Sequence, residues 1–239
     1  MQAGVPIIAT PIVATAATAI VASPASAVFI STPSATAVVV STASALAAVS
    51  TASSATVFVS ASAIAIAAAE GQEVGEPSIE GDHIGPLFDQ IQFDRVQALI
   101  QKGIDEGARV LVGGLGRPEH CSKGWFVKPT IFADVRNDMT IAQQEIFGPV
   151  LVIIPFEDEA EAIAIANDTL YGLAAYLQTG DPDRAERVAS QLRAGAVHIN
   201  GGGFNYGSPF GGYKQSGNGR EGGIMGIEDY QEVKTLHFG

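Results

Sequence analysis

From Glu70 onward the apolar positions recur with readable periods. Val96, Leu99, Ile100 and Ile104 fall three and four residues apart and make one stripe. That spacing predicts a helix over roughly Phe88 to Glu106, ended by Gly107. Arg109 to Val112 reads as a strand closed by Gly113-Gly114, and Leu115 to Lys123 as a mostly polar loop. Trp125 to Phe132 reads as extended, with Pro129 placing it near a sheet edge. Asp138 or Thr140 can cap a short helix carrying Gln144 and Glu145. Val150 to Ile154 is apolar at every position, as a strand buried on both faces should be. A helix from about Asp158 to Ala166 and a strand from Gly172 to Leu177 follow. Asp181-Pro182 opens another helix, which ends near Gly195. Ala196 to Ile199 is again a strand. Strand and helix alternate, so the expected fold class is α/β, a parallel sheet with flanking helices and right-handed crossovers. The tail from Tyr230 to Phe238 partly alternates and reads as a strand with an open edge.

The first 69 residues follow another pattern. Ala27–Ile30, Ala37–Val40 and Thr56–Val59 are rich in β-branched residues and predict strands. Ser44–Val49 and Ile64–Ala69 read as short helices. Pro6, Pro11, Pro24 and Pro33 punctuate the first half. Between Met1 and Ala69 there is no Lys, Arg, Asp, Glu, His, Asn, Trp or Tyr.

Four readings of that stretch stay open. A secretory signal lacks its positive n-region and would run on too long. A membrane span is opposed by Ala, Ser and Thr in place of Leu, and by frequent prolines and hydroxyls. A true low-complexity segment, such as a glycosylated stalk, is the third. The favoured reading is a non-native sequence, either frameshifted or assigned without a gene. Every residue type from Val5 to Ala69 can be encoded with a pyrimidine in the middle codon position, and an α/β domain needs surface charge. The chain therefore divides into residues 1–69, apolar and low in complexity, and residues 70–239.

At 239 residues, one or two domains with a sizeable core are expected. The formal charge of −12 and a pI near 4.6 argue against nucleic acid or an anionic membrane as a partner. A single cysteine, Cys121, excludes an internal disulfide framework. His83, His120, His198 and His237 show no metal-ligand spacing, and no phosphate loop carries the required lysine.

The candidate chemistry centres on Glu145-Ile-Phe-Gly-Pro-Val150, where a carboxylate and an aromatic precede the buried strand across a rigid Gly-Pro turn. A carboxylate can accept both hydroxyls of a ribose. Equally, Glu145 reads as a solvated helix-end glutamate and Phe147 as a core phenylalanine. Asn200 and Phe210 flank a glycine-rich loop containing Phe204 and Tyr206, which also reads as a structural loop with buried aromatics.

Glu145-Ile-Phe-Gly-Pro-Val150 resembles a motif of the NAD(P)-dependent aldehyde dehydrogenases. Others follow in that family's order: Asn167 with Tyr171–Ala175, Gly195–Asn200, Pro209–Gly217 and Gly219-Arg-Glu221. Val74-Gly-Glu-Pro77 opens the resemblance, which runs to about Phe238 and corresponds to the last third of a full-length member. It implies NAD or NADP as cofactor and an aldehyde oxidised to a carboxylic acid. Glu145 would hold the nicotinamide ribose and Phe147 would pack at the nicotinamide end. Asn200, Phe204 and Phe210 would lie by the aldehyde entrance. It further implies a cytoplasmic homo-oligomer assembled through the C-terminal strand, without nucleic acid or membrane.

The family's nucleophilic cysteine, general-base glutamate, oxyanion-supporting asparagine and main dinucleotide-binding region are not recognisable. The cysteine's place would fall near Ser50 or Thr51. Cys121 reads as an exposed loop thiol, and His120 beside it in sequence is not thereby a base. The chain as written is therefore expected to be inactive. The alternative function is a catalytically inactive fragment serving only as a scaffold or assembly module.

Overall fold

The computed structural model describes residues 29–32, 37–41, 46–49, 57–60, 66, 68–81, 83–203 and 205–239. Four short strands come first: β1 (Phe29–Thr32), β2 (Ala37–Ser41), β3 (Leu46–Val49) and β4 (Val57–Ser60). Then follow α1 (Gln90–Asp105), β5 (Arg109–Val112), β6 (Thr130–Ala133), α2 (Thr140–Gln143) and β7 (Val150–Phe156). The rest are α3 (Glu159–Asn167), β8 (Ala174–Gln178), α4 (Pro182–Ala189), β9 (Ala196–Ile199) and α5 (Gly223–Glu228).

Seven strands form one sheet in the order β5-β6-β7-β2-β1-β8-β9, and β3 pairs with β4 in a separate antiparallel pair. The fold is α/β, but the sheet is mixed rather than parallel. β6, β7, β2, β8 and β9 run one way, while β1 and β5 run the other. The wholly parallel expectation fails because β1 pairs antiparallel with both β2 and β8.

Among the described residues, the four helices that enter the core lie on one side of the sheet. Val96, Leu99 and Ile100 of α1, Ile141 and Ala142 of α2, Ala162 of α3, and Ala185 and Val188 of α4 share one core. They meet Phe132, Val150, Val152, Ile154 and Leu177, which strand register places on a single sheet face. The cause is topological. The parallel steps β6-α2-β7 and β8-α4-β9 move in the same direction along the sheet, so right-handed crossovers put both helices on the same side. Ile131, Ala133 and Ile153 are buried on the opposite face.

Local chemistry explains most element boundaries. Asp89, Asp158 and Asp181 each accept a backbone N–H as the N-cap of α1, α3 and α4, and Pro182 occupies the first turn of α4. Glu159 pairs with Arg184 at 3.2 Å and with Arg187 at 3.0 Å, tying α3 to α4. Three expected elements change. Leu46–Val49 is a strand, because antiparallel pairing with β4 overrides the helix propensity of its alanines. α2 stops at Gln143, so Gln144 and Glu145 lie beyond it, and its N-cap is Met139 with no side-chain bond. The tail after Tyr230 forms no strand, for lack of a neighbouring strand to pair with. Ile66 and Ala68–Glu70 are helical, and Ile104 is half exposed at the edge of the α1 stripe. No helix among the described residues is long and apolar enough to cross a membrane.

Candidate active site

Between α2 and β7 the chain runs irregularly through Glu145, Ile146 and Phe147 and bends at Gly148. Buried Ile146 anchors it to the core. Two α1 side chains hold its backbone. Arg95 donates from Nη2 to the Glu145 carbonyl at 2.8 Å, and Gln92 donates from Nε2 to the Phe147 carbonyl at 3.0 Å and the Ile146 carbonyl at 3.3 Å. Gly148 rests on the same helix. A β-carbon added there would meet Val96 Cγ1 at 2.9 Å and Cγ2 at 3.0 Å.

These grips all act on main chain or on Gly148, which leaves two side chains uncommitted. Phe147 has φ of 56° and a ring 51% exposed. A bulky residue in the left-handed region costs on the order of 1–3 kcal/mol, and here the side chain is only half buried. The Arg95 guanidinium lies 5.9 Å from the ring centre. Partial burial raises the Glu145 carboxyl above its ordinary value, and the nearby Arg95 charge opposes that shift. Among the described residues nothing donates a hydrogen bond to this carboxylate. A desolvated acceptor beside an exposed aromatic face suits a ligand with paired hydroxyls and a flat ring.

A second cluster forms where β8 and β9 begin. Gly195 packs so tightly on Gly211 that an added β-carbon would overlap the Gly211 carbonyl oxygen. Tyr213 donates its backbone N–H to the Gly172 carbonyl at 2.8 Å, and Gly172 N–H donates to Ser216 Oγ at 3.1 Å. Lys214 donates from Nζ to the carbonyls of Asn167 at 2.8 Å and Thr169 at 3.0 Å. Burial lowers its ammonium pKa, as does the Arg193 charge, against Asp168. These bonds dock the Pro209–Ser216 segment onto the starting ends of β8 and β9. Phe210, partly exposed, pairs with Glu221 through two backbone bonds of 2.6 Å.

Strand direction now sorts the expected site residues. β7, β8 and β9 run parallel in direction across the sheet. Glu145 and Phe147 precede β7, and the Phe210 segment sits on the starts of β8 and β9, so both lie at one sheet edge. That is the strand-start edge, not the carboxyl edge where open α/β sheets usually bind ligands. Asn200 follows β9 and lies at the other edge. Its amide is committed there, donating to the Thr179 carbonyl at 2.9 Å and accepting from Thr179 N–H at 2.9 Å. Phe204, Ser50 and Thr51 lie outside the described residues. Cys121 is half-buried rather than exposed, and its N–H donates to the Pro118 carbonyl at 3.0 Å. Among the described residues no cluster of His, Cys, Asp and Glu is arranged to hold a metal ion.

The model of the aldehyde dehydrogenase family matches residues 34–236. The chain belongs to that family. Among aldehyde dehydrogenase relatives, it is 52% identical over 163 residues to 3-succinoylsemialdehyde-pyridine dehydrogenase of a Pseudomonas species, covering 68% of this chain and 34% of that protein. Its fold is similar to aldehyde dehydrogenase C of Pseudomonas syringae, crystallised as a cysteine-to-alanine variant with NAD+ and octanal. The TM-score is 0.71 at 48% identity, over 73% of this chain and 36% of that one. An aldehyde dehydrogenase of Mycobacterium tuberculosis in complex with NAD+ matches with a TM-score of 0.65 at 52% identity, over 68% of this chain and 33% of that one. The chain thus spans about a third of the length of the curated relatives it matches. The family match begins within the uncharged stretch.

Sequence reasoning missed Gln92, Arg95 and Lys214. Each acts through its side chain on a distant carbonyl, 47 to 55 residues away. Polar residues on the exposed side of a helix or within a glycine-rich loop give no periodic signal of such a bond.

Proposed function

We propose that this protein serves the NAD(P)-dependent oxidation of an aldehyde to a carboxylic acid, as a cytoplasmic homo-oligomer. The observation that carries the reading is the Glu145–Phe147 turn. Its backbone is gripped by Arg95 and Gln92, while a desolvated carboxylate and a strained, half-exposed ring are left for a ligand. In this reading Glu145 accepts the two hydroxyls of the nicotinamide ribose and Phe147 packs on the nicotinamide. The cofactor supplies the hydride acceptor, and the chain's own residues orient it. Phe210, at the same sheet edge, borders the aldehyde. Asn200, whose amide bonds Thr179 at the other sheet edge, supports the start of the loop that carries Phe204 in sequence. Residues 70–239 are then the catalytic-domain portion.

Assembly is supported by apolar exposure. Ile224, Met225 and Ile227 of α5, with Tyr230, Val233, Leu236 and Phe238 of the tail, all face solvent. Pairing with a second copy would give the tail the neighbouring strand it lacks.

A second reading is favoured by Cys121. Thiol-based aldehyde oxidation needs a thiolate beside the nicotinamide carbon. The only thiol is in a loop, and no bond among the described residues links it to Glu145 or Phe147. The chain is then a cofactor-binding scaffold without turnover.

The test is NADH fluorescence with the purified chain, followed by reduced-nicotinamide absorbance with NAD+ or NADP+ and a panel of aldehydes. Binding lost in Glu145→Gln and Phe147→Ala supports the nicotinamide site, and turnover separates enzyme from scaffold. Wild-type binding unaffected by either substitution would refute the site.

A further inference from the structure

α1 holds the Glu145 turn by its N-terminal half, and its C-terminal end reaches the same segment again. Glu106, which closes α1, accepts the Thr140 backbone N–H at Oε2, 2.7 Å, and the Thr140 hydroxyl at Oε1, 2.6 Å. Thr140 opens α2, whose own N-cap, Met139, offers no side-chain acceptor. The cap of α2 is therefore supplied from another helix, by a carboxylate that also complements the helix dipole. Lys102, one turn back on α1, holds the same carboxylate at 3.3 Å. The Thr140 hydroxyl bond is the largest influence on the Glu106 carboxyl and lowers its pKa, against a smaller rise from burial.

The segment Thr140–Phe147 is thus strapped to one helix at both ends. Glu106 grips its start, and Gln92 and Arg95 grip its exit. The outermost grips lie 14 residues apart on α1, about 21 Å at 1.5 Å per residue. Ile141 and Ala142 fill the space between. A helix is stiff along its axis, so a shift of Thr140 has one soft outlet, the unhelical residues from Gln144 to Phe147.

We propose that Glu106 is a positioning residue for the nicotinamide site: by capping α2 through Thr140 it fixes where Glu145 and Phe147 sit. This rests on the nicotinamide reading above. Glu106 itself touches no ligand, and Thr140 is its only route.

The experiment uses the whole chain with Glu106→Ala, Glu106→Gln, Thr140→Val and the Glu106→Ala/Thr140→Val pair. Two quantities are read: the NADH dissociation constant by fluorescence, and amide hydrogen exchange along Thr140–Phe147 and along β8–β9. Glu106→Ala is expected to weaken NADH about tenfold, the scale of a lost charged cap. Glu106→Gln keeps one acceptor, so its loss is smaller, about threefold. The pair should be no weaker than Glu106→Ala alone, since both act on one link. Exchange should quicken at Gln144–Phe147 and stay unchanged in β8–β9.

NADH affinity unchanged in Glu106→Ala overturns the proposal. So does faster exchange spread evenly over the sheet, which marks Glu106 as a general stabiliser. If the wild-type chain binds no NADH, it is the nicotinamide reading that fails, and the strap is still judged by whether exchange changes only at Gln144–Phe147.

Discussion

Gly148 and Val96 offer a direct measure of how firmly the Glu145 turn rests on α1. Val96 is fully buried, and a methyl group at position 148 would sit 2.9 Å and 3.0 Å from its two γ-carbons. Those separations are well inside van der Waals contact. Gly148 has no positive φ, and its place before Pro149 suits alanine equally, so the backbone adds no penalty. Gly148→Ala should then cost about 1–3 kcal/mol from overpacking alone. Val96→Ala removes two buried methyl groups and should cost about 2–3 kcal/mol, transfer plus cavity.

In the double variant the new methyl enters the space that Val96 vacates. The combined loss should fall short of the sum by about 1 kcal/mol or more. Urea unfolding followed by Trp125 fluorescence reports it. Trp125 is the only tryptophan and lies tilted against Phe93 of α1, ring centres 5.9 Å apart, so its signal senses this helix. Losses that add within about 0.5 kcal/mol would mean that Gly148 does not bear on Val96. The account of how the turn is seated would then be wrong.

Two further outcomes follow from the bonds described. Glu145 has its carboxyl raised by burial, so it holds its proton to higher pH in the folded chain than in the unfolded one. Stability should therefore fall as pH rises from the ordinary carboxylate value through the raised one, and level off above it. Glu145→Gln should abolish that fall, melting higher than wild type at neutral pH and equally in acid, and thermal scans across pH check it. Asn200→Ala should cost about 2–3 kcal/mol, because two bonds to Thr179 are lost and alanine is strained at φ of 51°. NADH affinity should not change, since Asn200 lies at the far edge of the sheet, and titration of the variant tests that separation.

Much of the fold could be read from periodicity. Ala196–Ile199 was bounded correctly, and α3 and α4 began at the aspartates that cap them, because caps and apolar stripes are local signals. Strand direction could not be read. Nothing in Ala27–Ile30 or Arg109–Val112 says which way each runs beside its neighbours, since that is fixed by pairing with strands remote in sequence, for β1 with β8 across more than a hundred residues. The placement of all four core helices on one face follows from that order and stayed hidden with it. Of the candidate site, Glu145 and Phe147 were singled out as candidates because their motif is contiguous. Arg95 and Gln92 were not, because a side chain's bond to a remote carbonyl leaves no trace in spacing. Asn200 is assigned to the entrance only by family resemblance, and its amide spans the far ends of β8 and β9.

The hairpin of β1 and β2 has a consequence of parity. It inserts two antiparallel junctions, one between β2 and β1 and one between β1 and β8. Two reversals cancel, so β8 points the same way as β7, although neither touches the other. A single reversal would have sent the Phe210 segment to the opposite rim from Glu145. Because the insertion is even, both stay on one rim, three strand spacings apart, about 14 Å. The hairpin therefore acts as a spacer: it leaves the sense of the two halves unchanged and sets the width of the gap between them.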